Sequence, residues 1–113
     1  MCSVSIKGSP YARFRRALEI GKLSLVYAAA AELPRLELDD GLRVLVLMAE
    51  QDGERYDRAA VRWLGRLALE RRLGIEDLRA GLAACELMRR HPREGEAVLR
   101  ELLGRPVGAA RGR

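Results

Sequence analysis

The sequence predicts an all-α protein, a compact bundle of about six helices arranged in antiparallel hairpins. Three observations carry this expectation. Ala and Leu, both strong helix formers, dominate an apolar content of 49%, whereas Thr is absent and Ile occurs three times. Aromatic residues make up only 4% of the chain, so the core has to be assembled from Leu, Ala and Val. Apolar positions recur at helical spacing between Gly and Pro stop signals, which divide the 113 residues into short segments. A chain of this length suits one domain and can bury a core without disulfide or metal staples.

The elements follow in order. Ser9-Pro10 reads as an N-cap followed by proline at the first helical position, and Gly21 closes that segment. The second segment runs from about 23 to 33 and stops before Pro34. A third begins near Leu38 with Asp39 and Asp40 in its first turn, where carboxylates favour the helix dipole, and runs to about 51. Its stretch LRVLVLMA, 42–49, is apolar almost all round, so this helix is expected to be central or covered by a partner. The fourth runs from about 54 to 72, and the fifth from Glu76-Asp77 to Arg89-Arg90. After a break at His91-Pro92, a sixth runs from about 93 to 103 and is closed by Gly104. Residues 1–8 are expected to be a flexible N-terminus, 9–104 a single helical domain, and 105–113 (RPVGAARGR) a basic, disordered tail.

A faint internal similarity leaves one alternative open. LDDGLRVLVLM, 38–48, is similar to IEDLRAGLAAC, 75–85, and the same shift of 37 carries Ala60-Val61 onto Ala97-Val98. That period lies in the range of helical-hairpin repeats, so a short solenoid-like arrangement competes with the compact bundle.

Nineteen of the 21 basic residues are Arg, and the net charge is +5. Guanidinium suits bidentate phosphate binding, but an Arg-for-Lys bias joined to Ala, Gly and Leu richness is also what a GC-rich genome encodes throughout. Residues 22–53 carry 3 basic and 6 acidic side chains between basic flanks. Such a distribution fits internal complementarity or a dipolar partner surface better than one continuous phosphate track.

The run YDRAAVRWLGRLALERR, 56–72, concentrates five arginines and the only tryptophan. On a helical wheel Tyr56, Ala60, Trp63, Leu64 and Leu67 share a sector of ~100°. Tyr56, Trp63 and Leu67 are therefore expected to be core anchors. Arg55, Arg58, Arg62 and Arg66 fall within ~80° on the opposite side, a candidate basic binding face. Four carboxylates are placed to compensate it: Glu54 toward Arg58, Glu70 toward Arg66, Asp52 toward Arg55, and Asp57 beside the ridge. Arg71 lies at the edge of the apolar stripe and is expected to snorkel from it. A looser signal is LALERRLGIEDLRAGL, 67–82, which has the outline of a helix-turn-helix. Glu70 occupies the position where that motif needs a small residue, and Glu76 and Asp77 would point acids at a DNA groove.

Other chemistries find little support. Cys2 and Cys85 are too few for a disulfide scaffold and are expected to be reduced thiols. The start MCSVSIKGSP lacks the apolar stretch of a signal peptide, and the longest apolar run, LVYAAAA at 25–31, is too short to span a bilayer. A cytoplasmic location is expected. His91 is the only histidine and has Arg90 and Arg93 as neighbours, so no metal site is expected. Ser3, Ser5, Ser9 and Ser24 are terminal or capping residues, and no phosphate-binding or nucleophile-elbow motif occurs. No catalytic residue, cofactor, metal or small-molecule substrate is therefore expected.

With the helices laid out, PYARFRRAL, AAAELP and RYDRAAVRW mark a resemblance over roughly residues 10–70. In these motifs the chain resembles a group of short uncharacterised all-helical proteins of high-GC actinobacteria. The resemblance implies a helical fold and a bacterial source, and brings no activity, ligand or site with it. The residues point to a non-catalytic cytosolic helical module that acts by protein–protein interaction, self-association included. The alternative is a DNA- or RNA-binding accessory protein that uses the arginine face.

Overall fold

The computed structural model describes residues 9–106. They form six helices, α1 (Pro10–Ile20), α2 (Leu23–Ala30), α3 (Leu38–Gln51), α4 (Gly53–Arg71), α5 (Ile75–Met88) and α6 (Pro92–Leu103), with no strand among the described residues. The flexible start expected at 1–8 and most of the expected tail lie outside these residues. No helix among the described residues is long and apolar enough to cross a membrane.

Local chemistry sets most boundaries. Ser9 Oγ accepts the Ala12 N–H at 3.3 Å, Pro10 opens α1, and Gly21 closes it at φ 80°, in the left-handed region that glycine adopts without penalty. α2 ends three residues before the expected 33. Its last turn tightens, with the Glu32 and Leu33 amides bonded to the carbonyls of Ala29 and Ala30, as the chain approaches Pro34. Asp52 alone joins α3 to α4. α4 ends one residue before the expected 72, and Arg72 itself lies in the left-handed region at φ 56°.

The helices pack as consecutive hairpins, α1–α2, α3–α4 and α5–α6. α4 also packs on α5, and α3 on α6, so the last four helices close into a ring. In a solenoid the second hairpin would stack beside the first without returning to its leading helix. The α3–α6 contact is that return, and the arrangement is a bundle. Asp39 and Arg100 hold it from outside through an ion pair. α3 touches α2, α4 and α6, which makes it the central helix; Leu42, Leu45, Val46 and Met48 are buried, and Val44 and Leu47 half-buried. Its apolar circumference is thus satisfied within the chain.

Two close approaches define the ring. Gly95 of α6 lies so near α5 that a Cβ there would sit 2.7 Å from the Ala84 carbonyl oxygen and 2.9 Å from Met88 Cα. Gly81 of α5 receives Leu64 of α4, whose Cδ1 would be 2.7 Å from an added Cβ. Around these contacts Leu42, Leu64, Leu67, Met88 and Leu99 are fully buried, each contributing about 1.5–3 kcal/mol of transfer free energy. Tyr56 is buried with them and donates its hydroxyl to the Cys85 carbonyl at 2.7 Å, near the end of α5. Burial raises the pKa of the Tyr56 hydroxyl and pushes the Cys85 thiol up to about 11.

The Gly95→Ala substitution should cost about 1–3 kcal/mol, because backbone rather than a flexible side chain has to move. Gly65→Ala, at an exposed α4 position with nothing within 4 Å of the added methyl, should stabilise by about 0.5–1 kcal/mol. Urea denaturation of the two variants checks both signs. Stability should also fall on the alkaline side. A thiol whose folded pKa is raised keeps its contribution below its ordinary value of about 9 and loses it as pH climbs toward 11. Melting temperature followed across that range should drop less steeply in Cys85→Ala than in the parent chain.

Candidate interaction surface on α4

The rotation of α4 about its own axis decides which side chains face outward. Tyr56, Trp63 and Leu67 are buried, as the wheel expects, with Trp63 only 7% exposed. Its indole ring lies against Gly41 of α3, where an added Cβ would be 2.9 Å from Cδ1, and Nε1–H donates to the Leu38 carbonyl at 2.9 Å. The tryptophan is a core anchor with its polar edge satisfied, not a stacking platform.

The four ridge arginines divide. Arg66 is half-buried: it donates to the Leu36 carbonyl at 2.6 Å and to Glu70 at 2.8 Å, tying α4 to the α2–α3 connection. Hydrogen bonding from Arg66 holds the Glu70 carboxyl below its usual range. Arg35 joins the same carboxylate at 3.2 Å. Arg66 therefore serves the fold, and the expected four-residue face shrinks to Arg55, Arg58 and Arg62, all exposed.

Compensation of these three is weaker than the sequence suggests. Arg55 lies 3.9 Å from Asp52 and 5.7 Å from the centre of the Tyr27 ring. Asp52 is held more closely by the Tyr27 hydroxyl, at 2.9 Å. Asp57 pairs with Arg89, the residue that follows α5, because it sits on the flank of α4 that meets that helix. Glu54 and Arg58 form no ion pair. Among the described residues, Arg58 and Arg62 have no carboxylate within 4.0 Å. Arg71 is half-buried at the stripe edge, with an Nε that lacks a hydrogen-bond partner.

The three arginines border a shallow open trough of about 1060 Å³, whose lining includes Tyr27, Met48 and Ala59. Val61 also lines it and is 64% exposed. Glu54 and Asp57 line it as well, so the trough offers apolar contact and cationic rims with two carboxylates among them. Sequence reasoning missed Tyr27, which reads as one more apolar residue in LVYAAAA. Its amphipathic tip was the available signal. No group of three or more potential metal ligands occurs among the described residues.

The helix-turn-helix outline meets an acidic N-terminus. Asp77, in the first turn of α5, holds Arg105 at 2.7 Å, which ties down a residue assigned by sequence to the disordered tail. Comparison with protein families, with curated proteins and with solved structures finds no match to this chain.

Removing the Arg66 side chain should expose the difference within the ridge. Arg66→Ala should lose about 1–2 kcal/mol of stability, since a backbone carbonyl and a carboxylate lose their donor. Arg58→Ala and Arg62→Ala should stay within about 0.5 kcal/mol of the parent. Thermal and urea unfolding of the three variants side by side makes the comparison.

Proposed function

We propose that the protein is a non-catalytic cytosolic interaction module that binds an acidic, amphipathic helical segment of a partner protein in the α4 trough. One observation carries this reading: Arg55, Arg58 and Arg62 stand on one face, weakly compensated or uncompensated, beside the exposed Val61. Along α4 the outer two lie seven positions apart, about 10.5 Å at the rise of an α-helix. An antiparallel helix with Glu or Asp at i, i+4 and i+7 repeats that spacing, and its apolar flank covers the exposed Val61 and the half-buried Ala59. The carboxylates of Glu54 and Asp57 within the trough favour discrete acids, placed between like charges, over an unbroken polyanion.

The second reading, a DNA- or RNA-binding accessory role, draws on the two arginines that have no close carboxylate. Fluorescence anisotropy distinguishes the readings. A labelled helical peptide with Leu on one flank and Glu at i, i+4 and i+7 should bind, and a Lys-substituted peptide should not. Arg58→Glu with Arg62→Glu should weaken binding at least about tenfold, equivalent to about 1.4 kcal/mol. Equal affinity for the acidic and basic peptides would defeat the proposal. Tighter binding of an oligonucleotide, with a log–log salt slope of about −0.9 per phosphate neutralised on duplex, would favour the nucleic-acid reading.

A further inference from the structure

We infer that the chain self-associates through the outward face of the α1–α2 hairpin, a second copy of the hairpin completing a four-helix bundle. α2 reads LSLVYAAA and is apolar on both sides. Leu23 and Val26 are buried toward the rest of the molecule, while Leu25 and Ala28 face outward. Together with Ala12 and Ile20 of α1 they line an apolar groove of about 460 Å³. Ile20 is 60% and Leu25 43% exposed. The small side chains of Ala12 and Ala28 allow another helix to approach closely.

Charge placement selects a second copy as the occupant. Arg13 pairs with Glu32 across the hairpin, so these residues stand at the same height along it. Ile20 and Leu25 are level at the turn end. A two-fold axis parallel to the helices preserves height and lays α1 of one copy over α2 of the other, in antiparallel sense. Ile20 then meets Leu25 of the second copy. Arg16 is exposed at the groove edge, with no carboxylate within 4.0 Å in its own chain among the described residues. One helical turn from the level of Glu32, it reaches that carboxylate of the second copy, whose lone pairs accommodate two guanidiniums. The face is thus self-complementary in both apolar and charged positions. It lies across α2 from Tyr27, so association leaves the α4 trough open and doubles it.

Sedimentation equilibrium of the full chain tests the inference. The expected mass is twice the 12.6 kDa of one chain, approached as concentration rises. Leu25→Arg should return it to a single chain with its helical circular dichroism retained. Arg16→Glu and Glu32→Arg should each weaken association. An equimolar mixture of these two variants should restore it, because both cross-chain contacts then pair opposite charges. A parent chain that remains at 12.6 kDa at every concentration overturns the proposal. So does a dimer that persists in folded Leu25→Arg, or a mixture that associates no better than its components.

Discussion

The seating of Trp63 on Gly41 is the contact from which the rest of the arrangement follows. A tryptophan ring this close to a helix backbone requires a residue without Cβ, and Gly41 supplies it at the end of the first turn of α3. The hydrogen bond to the Leu38 carbonyl then fixes the position of the ring along α3 as well as its depth. With Tyr56 bonded to the Cys85 carbonyl of α5 as well, the orientation of α4 is set at two points along its length. Arg55, Arg58 and Arg62 face outward because their helix is held this way.

Glycine plays the same part elsewhere in the ring. Gly81 admits Leu64 and Gly95 admits the α5 backbone, so the four helices interlock at small residues around large Leu and Met side chains. An interior of this kind is close-packed, and a single added methyl at these points displaces backbone or a buried side chain. The α1–α2 hairpin is joined to the ring differently. It rests on α3 through α2 and is tied by polar contacts: Gln51 accepts the Leu23 N–H and donates to the Gly21 carbonyl, and Tyr11 donates to the buried Asp40. Its far side stays apolar and uncovered.

The arginines sort by what lies opposite them. Arg66, Arg89, Arg100 and Arg105 reach from one element to a carbonyl or carboxylate of another. Each such surface pair contributes little alone, about 0–1 kcal/mol. They nevertheless consume the acids that local sequence would have assigned to neighbouring arginines. Asp57 shows the consequence, since its pairing with Arg89 leaves the outward ridge with less negative charge than its position predicts.

The sequence by itself determined the number of helices among the described residues, nearly all their boundaries and the identity of the core stripe on α4. These depend on signals a few residues apart: Ser9-Pro10 and Gly21 at the ends of α1, acids in first turns, and the periodicity of Tyr56, Ala60, Trp63 and Leu67. Only the tertiary structure decided that the hairpins close into a ring, that Gly41, Gly81 and Gly95 are contact points, and that Arg66 belongs to the fold. Tertiary packing also decided which arginines remain available. A guanidinium reaches several ångströms in any direction, and its partner is whatever group packing brings near, from residues 30 or more positions away in Arg66–Leu36, Arg89–Asp57 and Arg100–Asp39. Local spacing carries no record of such distances, which is why the ridge was legible as a stripe and not as a surface.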